Sequence, residues 1–319
     1  MTGEAEPATV KERARETLRR AMGSLMIDAL ADPQTVEIIL NADGKLWQER
    51  LGEKMTCIGH VTANRAETIV KAVAGYHGKE ATRLQPTLEG EFPIDGSRFA
   101  GQMPPIVPAP TFAIRKRAVA IFTLAQYVEA GIMSAEQCAL ITDAINRHRN
   151  ILIIGGTGSG KTTLVNAIIN GMVETDPTER LVIIEDTGEI QCAAENFVQF
   201  HTSPQVSMTA LLKTTLRMRP DRILVGEVRG PEALDLLMAW NTGHEGGAAT
   251  LHANNAEAGL SRLALLISMH PDSPRPIDQL IGDAVHLIVH IARTPEGRRI
   301  ESILEVGGFV DGNYRLRSL

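Results

Sequence analysis

The sequence predicts an α/β protein: a mostly parallel sheet with helices on both faces over residues 121–319, preceded by a smaller α+β domain over residues 1–120. Three observations carry this reading. From residue 150 onward, short apolar runs alternate with helical stretches, the pattern of buried parallel strands joined by crossover helices. One glycine-rich segment, 155–162, joins such a run to a helical stretch. Before residue 120 the signals are instead a tight hairpin, Gly- and Pro-rich turns and two separate helical patterns. A length of 319 residues also suits two domains, each able to bury its own core.

In chain order, residues 9–31 place Leu18, Met22, Leu25, Met26, Ala29 and Leu30 at helical spacing, with Lys11, Arg13, Arg15, Arg19 and Arg20 mostly off that stripe. Such a helix packs its stripe on its own domain, the common case, or lies on an anionic membrane surface. Residues 36–40 and 45–49 read as strands around Asn41-Ala42-Asp43-Gly44, where Asp-Gly supplies the positive φ of a tight turn. Residues 63–76 read as a helix, 85–110 as a Gly- and Pro-rich stretch with short apolar-polar alternations, and 112–117 as a further strand. Ser134 with Gln137 makes a capping-box pair opening a helix over 134–148, with Leu140, Ile141, Ala144 and Ile145 facing inward. The strands expected beyond it are 151–154, 181–185, 223–226, 248–252 and 285–291.

The composition excludes several classes. Hydrophobic residues make up 44% and charged residues 22%, which is ordinary for a globular chain and unlike a disordered one. The longest apolar runs, such as 151–154 and 263–267, fall far short of the roughly 20 residues that cross a bilayer. Met1 is followed by Glu4 and Glu6 where a signal peptide would be basic and then apolar. Cys57, Cys138 and Cys192 form no CxxC pair, so reduced thiols in a cytosol are expected. Residues 1–120 hold 16 basic and 15 acidic side chains, the remainder 16 and 23. That acidic balance argues against direct nucleic-acid binding.

The chemistry is carried first by the glycine-rich segment. After Asn150-Ile-Leu-Ile-Ile come Gly155, Gly156, Thr157, Gly158, Ser159, Gly160, Lys161, Thr162 and Thr163. This is G-x-x-x-x-G-K-[ST] in the strand-to-helix context that the motif requires. Glycines let several N–H groups turn onto one phosphate, and the following helix adds its positive end. Lys161 is expected to reach the β- and γ-phosphates of ATP, and Thr162 to hold Mg²⁺.

Three further segments end predicted strands at the edge where ligands bind in open α/β sheets. The strand 181–185 delivers Glu185 and Asp186, with Glu189 close behind. The segment Arg219-Pro220-Asp221-Arg222-Ile223-Leu224-Val225-Gly226-Glu227 ends on one carboxylate, with Gly226 where an aspartate is usual. A carboxylate at such a tip orients or deprotonates an attacking water, or completes the Mg²⁺ shell, directly or through water. Glu227 is thus a candidate metal-linked residue along with Thr162. The third segment, 242–254, carries His244 and His252 around small residues. It lacks the spacing of a zinc site, whereas a histidine near a γ-phosphate senses nucleotide state by hydrogen bonding.

Together these segments resemble the type II/IV secretion ATPase superfamily: the phosphate loop, an acidic box at Glu185-Asp186, an RPDxILxGExR-type segment at 219–229 and a histidine box at 242–254, in order, over roughly residues 85–260. Within it the chain looks most like the conjugation branch. The resemblance implies a homohexameric ring, a PAS-like amino-terminal domain and a RecA-like ATPase domain. Lys161, Glu185, Glu227 and His252 would act on ATP·Mg²⁺, with Arg98 and Arg115 reaching the phosphates from the amino-terminal domain. It also implies partners among the channel's cytoplasmic components and other secretion ATPases, and a cytoplasmic location, peripheral at the inner membrane. The four-cysteine zinc module of the pilus-extension ATPases is missing, since only Cys192 follows the loop. Competing readings are a pilus retraction or assembly motor, a nucleic-acid translocase or helicase, which would need a basic or aromatic strand-binding surface, and a nucleotide sensor without turnover.

Overall fold

A computed structural model describes residues 9–51, 53–116, 122–203 and 205–319. The chain divides into two compact units, Met1–Val119 and Ala120–Leu319. The boundary expected near residue 120, and Arg117 at the end of a predicted strand, lie outside the described residues.

In the first unit, α1 (Val10–Ala31) opens on a capping box in which Thr9 N–H donates to Glu12 Oε2 at 2.6 Å. Gly23, at φ 64°, interrupts this helix. Arg65 donates to the freed carbonyls of Ala21 and Met22 at 2.9 and 2.8 Å. Leu18, Met22, Met26, Ala29 and Leu30 of the stripe are buried inside the unit. Leu25 is 39% exposed, because the break at Gly23 shifts the phase of the second half of the helix.

The remaining elements of this unit are β1 (Thr35–Leu40), β2 (Lys45–Arg50), β3 (Thr56–His60), α2 (Ala63–Tyr76), β4 (Thr87–Glu91), β5 (Arg98–Gln102) and β6 (Thr111–Arg115). The strands form an antiparallel sheet in the order β3-β2-β1-β6-β5-β4. One core joins the α1 stripe to Ile69, Val70 and Val73 of α2 and to Ile38, Phe99, Phe112 and Ile114 of the sheet. The Gly- and Pro-rich stretch 85–110 therefore holds two strands, whose alternation was legible while their pairing was not.

The second unit comprises α3 (Leu124–Glu129), α4 (Ala135–Asn146), β7 (Ile151–Ile154), α5 (Lys161–Thr175), β8 (Leu181–Glu185), β9 (Phe197–His201), α6 (Met208–Thr215), β10 (Arg222–Val228), α7 (Glu232–Trp240), β11 (Ala248–Leu251), α8 (Ala256–Ser268), α9 (Ile277–Ala284), β12 (Leu287–Thr294), β13 (Gly297–Val310) and β14 (Asn313–Ser318). The sheet runs β14-β13-β12-β7-β11-β10-β8-β9. From β9 to β12 neighbours are parallel; β13 and β14 add an antiparallel edge. The sheet is thus mixed.

Alternation along β7 shows how both faces are covered. Ile151 and Ile153 join a core with α3, α4 and α5, and Leu152 and Ile154 join one with α6, α7, α8 and α9. Strands buried on both faces read as continuous apolar runs, the reason β7, β8 and β10 stand out in the sequence. Asn150, just before β7, ties neighbouring segments together: its Oδ1 accepts from Gly246 and Gly247 N–H at 2.8 and 3.1 Å, and its Nδ2 donates to Ala284 O at 2.7 Å. No helix among the described residues is long and apolar enough to cross a membrane.

Candidate functional site

The glycine-rich loop leaves β7 and enters α5 at the carboxyl edge of the parallel strands, with Gly160, at φ 100°, as the cap of α5. At Gly155 the need for glycine is steric: an added Cβ would stand 2.2 Å from the Ile291 carbonyl oxygen. Lys161 folds its ammonium back over the loop, donating to the Gly155 and Gly156 carbonyls at 3.1 and 2.9 Å. Ser159 Oγ is buried without a hydrogen-bond partner among the described residues. A buried orphan hydroxyl, a cation and a glycine turn at a helix start are what a phosphate cradle supplies.

The end of β10 and the segment that follows β8 bring carboxylates toward this loop by different routes, Glu227 through His252 and Glu189 at Thr162. At the tip of β10 the pairing with β11 shifts register between Val225 and Val228, which places Gly226 and Glu227 in the irregularity. Gly226 stands where a Cβ would press on Glu185 Cβ at 2.8 Å, a physical reason for glycine where an aspartate is usual. Thr250 Oγ1 donates to the Gly226 carbonyl at 2.6 Å and holds the irregular tip.

Glu227 joins a chain of charged and polar groups. Its Oε2 accepts from Arg229 at 2.5 Å and its Oε1 lies 2.9 Å from His252 Nε2. The other ring nitrogen, Nδ1, lies 3.3 Å from Lys161 Nζ. A lysine ammonium only donates and a carboxylate only accepts, so this network selects the neutral imidazole with its proton on Nε2. Partial burial first, and then the Lys161 cation, hold the His252 pKa below its ordinary value, against the pull of Glu227. Burial works to raise the Glu227 carboxyl, but the Arg229 hydrogen bond and charge, helped by His252 and Lys161, outweigh it and keep it below the ordinary carboxylate value.

The sign of the pH effect follows. As pH falls below the ordinary histidine value of 6.5, the unfolded chain takes up a proton at residue 252 before the folded chain does. Acidification through that window therefore removes stability. His252→Gln is expected to show a smaller fall in melting temperature between pH 7.5 and pH 5.5 than the parent protein; an equal fall would sever His252 from this network.

Glu185 sits differently from what its sequence position suggests. It is 2% exposed, and its Oε2 accepts from the Glu189 and Ile190 N–H groups, both at 3.0 Å. Its Oε1 takes a short bond from Gln199 and lies 3.4 Å from His201 Nε2, both on β9. Its lone pairs are thus turned to protein donors and away from the loop. The carboxylate brought to Thr162 is that of Glu189, whose Oε2 lies 3.5 Å from Thr162 Oγ1. The sequence offered Glu189 only as a neighbour of the acidic pair, since nothing local says that Glu185 would be spent on fixing the turn that presents it.

His244 precedes β11 and so lies at the opposite edge of the sheet from His252, away from the loop. In the first unit Arg98 and Arg115 stand directly across from each other on β5 and β6, and Glu37 of β1 is the cross-strand partner of Arg115 on its other side. Arg115 Nε lies 3.7 Å from Glu37 Oε1. Glu91 of β4 stands across from Arg98 on its outer side and Glu49 of β2 stands beyond Glu37, so the row runs Glu91, Arg98, Arg115, Glu37, Glu49 and each arginine has a carboxylate neighbour that offsets the like-charge pairing.

Comparison with known proteins adds independent findings. Residues 96–307 match the family described as Type II/IV secretion system protein. A probable conjugal transfer protein TrbB from Sinorhizobium fredii is 49% identical, over 94% of this chain and 92% of its own length. The solved VirB11 ATPase from the Brucella suis type IV secretion system, in complex with sulphate, is 25% identical, with a TM-score of 0.51 over 93% of this chain and 96% of that one. The Legionella pneumophila ATPase DotB shares the fold at a TM-score of 0.64 and 19% identity, over 98% of this chain and 84% of that one. The chain carrying this loop, its acids and its histidine belongs to the type II/IV secretion system protein family.

Proposed function

We propose that the protein is a hexameric, RecA-like traffic ATPase that hydrolyses ATP to drive assembly of, or transfer through, a conjugation-type secretion channel. The observation that carries the reading is the convergence of Lys161, Glu227 and His252 on one glycine-rich loop. Near-full-length similarity to a conjugal transfer protein favours the conjugation branch over a pilus motor.

In this reading the loop amides of residues 155–163 and Lys161 bind the phosphate chain. Bound Mg²⁺ would shield the charge of that chain, with Thr162 and Glu189 as nearest candidates to hold it and Glu227 through water. Glu227, kept ionised by Arg229, positions the attacking water. His252, neutral and hydrogen-bonded to Glu227, reports whether the terminal phosphate is present. Glu185 acts through the turn it fixes and does not touch the reacting atoms. Arg98 and Arg115, from a PAS-like first domain, complete the charge stabilisation when the domains close; arginines in such roles contribute about 10³ to 10⁵ in rate. The ring works at the cytoplasmic face of the inner membrane against the channel's cytoplasmic components and its partner ATPases.

The test is steady-state ATP hydrolysis with and without Mg²⁺, together with native mass measured with and without nucleotide. Turnover that needs Mg²⁺, in a six-subunit particle, supports the reading; a monomer without turnover under every condition overturns it. Glu227→Gln and Arg115→Ala are each expected to retain ATP binding and lose turnover, by about 10²-fold or more. Unchanged hydrolysis in either variant would restrict that residue to a structural role.

A further inference from the structure

The β12–β13 hairpin brings a further cation to the loop. Ile291 pairs with Ile300, Ala292 with Arg299, and Arg293 with Arg298. Alternation then puts Arg293 and Arg298 on the face of Ile291 and Ile300, which belong to the core that also holds Leu164 and Ile168 of α5. Arg299 points to the other face. Arg298 lies against the loop itself: an added Cβ on Gly160 would stand 3.0 Å from Arg298 Cδ and 3.3 Å from its Nε. The guanidinium is exposed and makes no hydrogen bond or ion pair among the described residues.

An exposed guanidinium packed on a glycine turn is placed to give a charge-assisted hydrogen bond to an anion held in that turn. The nearest built anion cradle is the loop that Arg298 touches. Resting on the nucleotide-binding reading above, we propose that Arg298 is a further contact for the phosphate chain of the bound nucleotide, supplied by the same domain as Lys161. Its role is binding, because its stem lies over Gly160 at the helix start and apart from Glu227 and His252 at the strand tips.

The experiment is calorimetric titration of the full chain with MgATP and MgADP, with KM and kcat measured in parallel. Arg298→Ala is expected to weaken ATP binding about tenfold, the loss of one charge-assisted hydrogen bond. KM should rise with it while kcat stays within about twofold, the signature of binding lost equally from ground and transition states. Arg298→Lys should recover most of the affinity, and Arg299→Ala should bind as the parent does. An Arg298→Ala protein that melts like the parent and binds ATP with unchanged affinity overturns the proposal, as does an equal loss in Arg299→Ala, which would reduce the effect to general charge. Absence of ATP binding in the parent protein would instead remove the nucleotide reading on which the proposal stands.

Discussion

Lys161→Ala is expected to abolish ATP turnover, by at least about 10²- to 10³-fold, while leaving the fold in place. The ammonium is the cation that lies over the loop, within 3.1 Å of both the Gly155 and Gly156 carbonyls, and it also closes the chain through His252 to Glu227. A phosphate chain entering the loop would offer that ammonium a better, anionic set of acceptors than two neutral carbonyls. Removing it therefore costs the charge that phosphoryl transfer needs most. The structural loss is small, because Gly156, Thr157 and Gly158 are exposed and water can reach the freed loop. Hydrolysis at the parent rate in a correctly folded Lys161→Ala protein would end the case for this loop as the catalytic centre. A melting temperature lowered by tens of degrees would show that the lysine holds the fold and that its effect on turnover is indirect.

Arg222→Met is expected to have the largest effect on stability, about 3–5 kcal/mol, although Arg222 lies at the edge of the sheet opposite the loop. Arg222 is fully buried, with its Nε 2.5 Å from Glu179 Oε2 and its Nη2 3.1 Å from Glu179 Oε1. The remaining guanidinium donors reach the Gly246 carbonyl at 3.1 Å and the Ile145 carbonyl at 3.2 Å. One side chain thus fastens the start of β10, the end of α4, the approach to β8 and the approach to β11. Truncating it leaves the buried Glu179 without its permanent cation, with His148 Nε2, 2.9 Å from Oε1, as its remaining neighbour, and that costs more than the pair contributes. Urea unfolding of Arg222→Met measures the loss, and a double variant with Glu179→Gln should recover part of it by removing the stranded charge. A loss below about 1 kcal/mol, or no recovery in the double variant, would mean that the pair is solvated after all.

Several parts of this protein were legible because their cause is local. The helix over 63–76 and the strands over 151–154 and 181–185 have the bounds that periodicity gives them, and the Ser134–Gln137 capping box forms with bonds of 3.0 and 3.1 Å. Other parts gave weak signals for identifiable reasons. β9 is a half-buried edge strand without a continuous apolar run. The long β13 mixes buried and exposed positions and follows a two-residue turn of Pro295-Glu296, so its signal resembles that of a surface hairpin. Leu25 fits the helical stripe in sequence and leaves it in space because Gly23 breaks the helix.

Legible in the sequence alone were the glycine-rich loop between its strand and helix, most of the parallel strands, several helices, and which residues were available at strand ends, since each depends on neighbours within one turn or one strand. Tertiary structure decided which available groups do what. Glu185 is spent on the backbone of its own turn because β9 delivers Gln199 and His201 beside it, and that leaves Glu189 to face Thr162. His252 and not His244 meets Lys161, and Arg298 lies on Gly160, because a parallel sheet gathers the carboxyl ends of strands distant in sequence at one edge. Hydrogen-bond acceptors and charges are satisfied over a few ångströms of space, and that distance is not written in the order of residues along a chain.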